Sequence, residues 1–260
     1  MPRLKLTIEY DGTGYVGWQR QLNGPAVQDA FERALATLLG ASTETFASGR
    51  TDSGVHAAGQ VVAFWAPKSL PLRAYVRGLN GLLPPDISVT TAEEVPDGFD
   101  PRRWASGKRY RYLISNRPDR SALRRNSHWE IFAPLDLRAM QGAALCLLGR
   151  HDFSAFRASD CQARHAVREL KQVELSQGGA EELVLDVGGT AFLKHMVRNL
   201  VGSLVEVGKG KKPVEWMEQL LVGKDRSRAG PTAPPQGLTL IEVTYGGRQK
   251  SPQLIEDDDD

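Results

Sequence analysis

Cysteine is scarce: Cys146 and Cys161 are the only two in 260 residues. Two thiols make no disulfide framework, so both are expected reduced, in a reducing cytoplasm, with Cys146 inside an apolar helix. No apolar run approaches the roughly 20 residues that cross a bilayer. The start, Met1-Pro-Arg-Leu-Lys-Leu6, lacks the apolar core and cleavage site of a secretory signal. The histidines, at 56, 128, 151, 165 and 195, have no metal-ligand spacing, and there is no Cys-x-x-Cys, so no metal is expected. A phosphate loop ending in Gly-Lys-Ser/Thr is missing. Gly12, Gly14 and Gly17 do complete Gly-x-Gly-x-x-Gly after a strand-like run. Trp18-Gln-Arg-Gln21 then follows instead of an apolar helix, and no acid ends a second strand about 20 residues on, which excludes a dinucleotide site.

What remains is an ordinary globular composition, 41% hydrophobic and 25% charged. The net charge is only +2, but it is unevenly spread. The last five residues, Glu256 to Asp260, are all acidic and read as a disordered, solvating tail over 249–260. Residues 102 to 125 hold nine bases (Arg102, Arg103, Lys108, Arg109, Arg111, Arg117, Arg120, Arg124, Arg125) against one acid, Asp119. A charge run is usually a solvated face. Near-uniform sign costs self-repulsion, however, and Tyr110 and Tyr112 stand among these arginines. Bases interleaved with aromatics suit a phosphate backbone with stackable bases beside it.

Leu4, Leu6, Ile8 and Tyr10 alternate with polar residues, which predicts a half-buried strand over 3–10. Helical spacing of Val27, Phe31, Ala34, Leu35, Leu38 and Leu39, between Pro25 and Gly40, predicts a helix over 26–39. Further strands are expected at 43–47, 59–65 and 86–95, with a helix at 71–80. The order repeats: strands at 107–116 and 128–132, a helix at 136–147, strands at 165–176 and 181–188, a helix at 191–207 and a strand at 238–245. An extra helix at 213–222 interrupts the second unit. The fold class is α+β, read as two split βαβ halves, 1–105 and 106–248. The helix at 191–207 is expected to present Lys194, His195, Arg198 and Asn199 on its polar face.

The richest stretch is Gly49-Arg-Thr-Asp-Ser-Gly-Val-His-Ala-Ala-Gly-Gln60. Three glycines punctuate an acid, an arginine and a histidine, and the apolar run Val61 to Trp65 follows. That is a tight polar loop feeding a buried strand, which fixes Arg50 and Asp52 on rigid backbone. An arginine near Asp52 would keep it ionised, as a nucleophile or base and not a general acid. On spacing alone, a structural ion pair fixing the glycine-rich turn is the favoured reading of Arg-Thr-Asp. His56 reads as a structural loop residue.

Six blocks in order carry a resemblance. They are Tyr10 to Gln19, Gly49 to His56, Lys108 to Tyr112, His151 to Phe156, Phe192 to Gly202, and Gly237 to Leu240. Together they resemble the bacterial tRNA pseudouridine synthase A (TruA) family across nearly the whole chain. Ser53 stands where that family more often has alanine. The resemblance implies the pseudouridine synthase fold, two ferredoxin-like halves forming a continuous, mainly antiparallel sheet with helices packed on it.

It also implies an isomerase that converts uridine to pseudouridine at positions 38, 39 and 40 in the anticodon stem-loop of tRNA. No cofactor is implied, and the partners are tRNA and a second copy of the chain. Asp52 maps to the catalytic residue, attacking the base at C6 or the ribose at C1′, or removing a sugar proton to give a glycal. Tyr110 maps to a tyrosine that stacks on the target base, with a possible part in proton transfer. Arg198 maps to the arginine that pairs with Asp52. Arg50 is expected on the flipped nucleotide or its phosphate, and Arg109 and Arg111 on the RNA. Leu238 and Leu240 are expected to wall the site. Trp129, Ile131 and Phe132 fit either a dimer interface or core. Two other classes stay open: an RNA-binding module without catalysis, and a hydrolase of the N-glycosidic bond.

Overall fold

The computed structural model describes residues 1–246, and the acidic stretch lies outside them. The chain divides into two compact units, Met1–Ser106 with Thr239 onward, and Gly107–Leu238. The last strand thus belongs with the first unit, where sequence order groups it with the second. The reason is a backbone pairing across about 180 residues of chain, described below, which no local pattern announces.

The first unit follows the expected order: β1 (Arg3–Tyr10), α1 (Val27–Leu39), β2 (Phe46–Ala47), β3 (His56–Trp65), α2 (Leu72–Asn80), β4 (Ile87–Val95). β3 pairs antiparallel with both β1 and β2, and β4 pairs antiparallel with β1, giving the order β4-β1-β3-β2 of a split βαβ sheet. The alternation of β1 buries Leu4, Leu6, Ile8 and Tyr10, as period-2 side chains require. α1 ends because Gly40 turns left-handed at φ +73° and its N–H closes on the Ala36 carbonyl. The strand β10 (Leu238–Tyr245) lies parallel to the start of β3, with Thr239 opposite His56 and Leu240 opposite Ala57. Gly59 permits that approach, since a Cβ there would lie 2.4 Å from the Ile241 carbonyl oxygen.

The second unit runs β5 (Ala105–Asn116), β6 (Trp129–Ile131), α3 (Leu137–Ala144), β7 (Gly149–Asp152), β8 (Val167–Gln177), β9 (Glu182–Gly189), α4 (Met196–Gly208) and α5 (Trp216–Gly223). β5, β9, β8 and β7 pair antiparallel in that order, and β6 adds in parallel to the end of β5. Both units are therefore α+β. One face of this sheet is apolar, with Tyr112, Ile114, Leu183, Leu185, Val187, Val173 and Leu175 all buried, and α3 packs against β8 and α4.

Two expectations for α4 are corrected. It begins at Met196, not at 191, because His195 is left-handed at φ +61°. The Lys194 carbonyl accepts from the Ala158 N–H instead of an intrahelical donor. Asn199 is not on a solvent face: it is 0% exposed, and its carboxamide is met by the Phe156 carbonyl, Arg226 and Thr232. Cys146 is half-buried in a 3₁₀ extension of α3, and it and Cys161 are both free thiols. No helix among the described residues is long and apolar enough to cross a membrane.

Candidate active site

In the first unit the loop between β2 and β3 carries Arg50 and Asp52. Arg50 is exposed, Asp52 half-buried, and Thr51 between them buried. Neighbouring segments grip the loop through its backbone. Thr51 O accepts from Trp18 N at 3.2 Å, Gly54 N donates to Tyr15 O at 3.2 Å, and Val55 N donates to Asp52 O at 3.1 Å. The Ser53 hydroxyl also donates to Tyr15 O, at 3.2 Å. The glycine loop at 12–17 thus exists to let two backbones touch. A Cβ on Gly12 would lie 2.1 Å from Val55 O, and one on Gly17, at φ +105°, 2.4 Å from Thr51 O. This is the physical content of glycines that read, from sequence, as a failed nucleotide motif.

His56 closes the same junction. Its Nδ1 accepts from Gly12 N at 3.1 Å, which places the proton of the neutral ring on Nε2. Asp11 Oδ1 lies 3.1 Å from the same nitrogen. Burial alone would raise the Asp11 pKa, but hydrogen bonds from the Thr13 amide and hydroxyl, with His56 nearby, hold it below the ordinary carboxylate value. Leu240 is buried beside Ala57 in β10.

The second unit holds Tyr110, Arg109, Arg111, Arg198 and Leu238. Tyr110 is half-buried on β5, its ring edge-on to Phe192 at 5.0 Å. Leu238 is buried. Arg198 is held on both sides by one segment: its Nε donates to Ala233 O at 2.8 Å, and Ala233 N donates to Arg198 O at 3.1 Å. The next carbonyl, Pro234 O, accepts from the fully buried Tyr112 hydroxyl at 2.7 Å. Burial pushes the Tyr112 pKa far up, although the Arg198 charge opposes it, so this hydroxyl stays a donor.

Sequence reasoning placed Asn199 on a polar face and did not single out Arg226, yet both brace this segment. Arg226 donates to Gly230 O, Asn199 Oδ1 and Thr232 Oγ1 at 2.9, 3.0 and 3.1 Å. Beside them opens a cleft of about 600 Å³, lined among others by Asp160, His195, Ser227 and Pro231. It contains none of the predicted site residues.

The basic stretch proves less positive in space than in sequence. Acids from elsewhere in the chain meet it. Arg111 forms a two-pronged pair with Asp186 at 3.0 and 2.9 Å, Arg109 lies 3.7 Å from the same carboxylate, and Arg117 lies 3.5 Å from Glu181. Strand alternation also puts Arg109 and Arg111 on the face opposite Tyr110 and Tyr112. Of the three candidate interface residues, Ile131 is core, Trp129 half-buried and Phe132 55% exposed.

A family model described as tRNA pseudouridine synthase matches residues 6–102 and 143–246. The chain belongs to that family. Curated relatives named tRNA pseudouridine synthase A include one from Myxococcus xanthus, 62% identical over 94% of this chain and 92% of its own length. Another, from Geotalea uraniireducens, is 51% identical over 94% of this chain and all of its own. Among solved structures, a chain of a Cbf5-Nop10-Gar1 complex overlaps 91% of this chain and 48% of that one, with a TM-score of 0.41 at 12% identity. That likeness is too loose to add to the assignment. Pseudouridine synthases are isomerases, and both match segments contain residues singled out above: Asp52 and its glycine loop in the first, Arg198 and its brace in the second.

Proposed function

We propose that this enzyme isomerises uridine to pseudouridine at positions 38, 39 and 40 of the tRNA anticodon stem-loop, with Asp52 as nucleophile. The observation that carries the reading is the loop at 49–56. A half-buried carboxylate is held there by a backbone locked at Thr51, Gly54 and Val55. A module that only binds RNA does not need an acid so fixed. In the reaction the N1–C1′ bond breaks and a C5–C1′ bond forms; C5 loses its proton and N1 gains one, so mass is conserved. Arg198 is the ion-pair partner of Asp52. The Ala233 carbonyl, which fixes the plane of its guanidinium, supports a positioned role for it.

Tyr110 stacks on the target base and assists the proton transfer at C5. Base stacking is worth about 1–3 kcal/mol by alanine truncation, similar to the cost of extruding a paired base. Arg50, exposed at the mouth of the loop, takes the flipped nucleotide or its phosphate. Leu238 and Leu240 exclude water, which protects the detached sugar from hydrolysis. Arg109 and Arg111 meet the RNA backbone, and Phe132 belongs to the interface of a homodimer in the cytoplasm.

The test is incubation of unmodified tRNA transcript with the enzyme and with its Asp52→Asn variant. The parent should yield a uridine isomer of unchanged mass, and the variant should bind tRNA normally without forming it. Release of uracil, or substantial activity in the variant, would overturn the reading. Sedimentation mass of the Phe132→Glu variant tests the dimer, which it should split.

A further inference from the structure

Two sets of buried side-chain hydrogen bonds, outside the backbone ladders of the sheet, hold the catalytic loop from below. The first joins the Tyr10 hydroxyl to Thr51 Oγ1 at 2.8 Å, across 41 residues of sequence. Tyr10 is 4% exposed and Thr51 8%. The second centres on Gln60, which is 0% exposed. Its Nε2 donates to Gly49 O at 2.9 Å, while its Oε1 accepts from Ser48 Oγ at 2.7 Å and from Val61 N at 3.1 Å. The loop is therefore pinned at Ser48 and Gly49 on one side of Arg50, and at the side chain and carbonyl of Thr51 on the other. Buried polar groups of this kind are costly unless satisfied, and once satisfied they specify one arrangement.

We propose that Tyr10, Thr51 and Gln60 are positioning residues that set the Asp52 carboxylate for attack; this rests on the reading of Asp52 as the nucleophile. The lever is short. A carboxylate roughly 4 Å from the Thr51 backbone moves about 1 Å when that backbone turns by about 15°. A displacement of about 1 Å at a reacting atom costs on the order of 100-fold in rate. The Thr51 hydroxyl resists such a turn only while it is tied to Tyr10. Simple packing makes the opposite demand, because replacing both partners of a buried hydrogen bond by apolar groups of the same shape is nearly neutral for stability.

The experiment uses Tyr10→Phe, Thr51→Val, their double variant and Thr51→Ser. It measures melting temperature, tRNA dissociation constant and single-turnover rate of isomerisation. The double variant should melt within a few degrees of the parent and bind tRNA within twofold, yet react 10- to 100-fold more slowly. Each single variant should lose as much as the double, and Thr51→Ser, which keeps the oxygen, should recover most of the rate. A folded double variant reacting within threefold of the parent overturns the proposal. So does a rate that falls only in proportion to lost tRNA binding. If Thr51→Val does not fold, Tyr10→Phe, which keeps the ring and loses one oxygen, decides by the same criterion. An active Asp52→Asn enzyme would instead sink the underlying site reading, whatever the four variants do.

Discussion

The Gly202→Ala substitution sets two physical arguments against each other. Gly202 lies inside α4, where alanine should stabilise the helix by about 1 kcal/mol over glycine. Yet an alanine Cβ at 202 would sit 1.7 Å from Pro231 O. Ordinary contact begins at 3.4 Å, so the 229–234 segment would have to retreat by about that same 1.7 Å. Its neighbour Ala233 accepts the Arg198 Nε hydrogen bond at 2.8 Å, which such a retreat breaks. Overpacking costs roughly 1–3 kcal/mol, and a lost hydrogen bond to a charged group about 1.5–3 kcal/mol. Less the propensity gain, the net is a destabilisation of about 1.5–5 kcal/mol. For a chain of this size that lowers the melting temperature by about 3–20 °C. Urea unfolding and a thermal melt read the stability, and single-turnover isomerisation reads the guanidinium, with a rate loss expected in protein that remains folded. A variant as stable as the parent or more so would refute the steric argument and leave only helix propensity.

Gly17→Ala should be at least as damaging, since it combines φ +105° with a Cβ 2.4 Å from Thr51 O; the loss of stability should be roughly 2–6 kcal/mol, read by urea unfolding. Tyr112→Phe removes the donor to Pro234 O and should cost about 1–3 kcal/mol, with an unfolding profile parallel to the parent's across neutral pH because the native phenol does not ionise there. Asp152 pairs with Lys224 at 2.9 Å and accepts from the Ser154 amide and hydroxyl. Although its burial opposes ionisation, these partners hold its pKa below the ordinary carboxylate value. A depressed carboxylate pKa stabilises the fold above the unfolded value, and that contribution is lost as pH falls through the folded value. Asp152→Asn should therefore melt slightly lower at pH 7, by the equivalent of under about 1 kcal/mol for so exposed a pair, and the gap should close as acid takes the pH below the ordinary carboxylate range; a gap that persists in acid would mean the charge is irrelevant.

Periodic segments were legible because one side-chain property decides them. β1, α1, α2, β4 and β10 each fall within a residue of the pattern that predicts them. β7, Gly149-Arg-His-Asp152, was not legible, because four polar or small residues show no alternation and only pairing with β8 makes them a strand. The start of α4 was missed for a related reason: its apolar rhythm continues upstream, while Ala158 captures the Lys194 carbonyl from outside. Asn199 read as a surface residue because a sequence shows polarity and not partners. The site residues divide in the same way. Asp52 and its glycines announce themselves locally, whereas the Tyr10–Thr51, Gln60–Gly49 and Arg226–Asn199 hydrogen bonds join residues 41, 11 and 27 positions apart. The charge of the basic stretch was overcounted because Asp186 and Glu181 come to it from distant strands.

The parallel seam between β10 and β3 bears on how the chain is made. A ribosome delivers β3 about 180 residues before β10, so the first unit emerges with the strand beside His56 and Ala57 still missing. Chain termination anywhere before Thr239 would leave that flank of β3 open, next to the loop that holds Asp52. Until β10 emerges, the flank is a bare strand edge of the kind that recruits other chains. A nascent-chain series should then show the 49–56 loop gain further protease resistance when residues beyond 240 leave the exit tunnel, so that the setting of Asp52 is completed by a strand made about 180 residues after it.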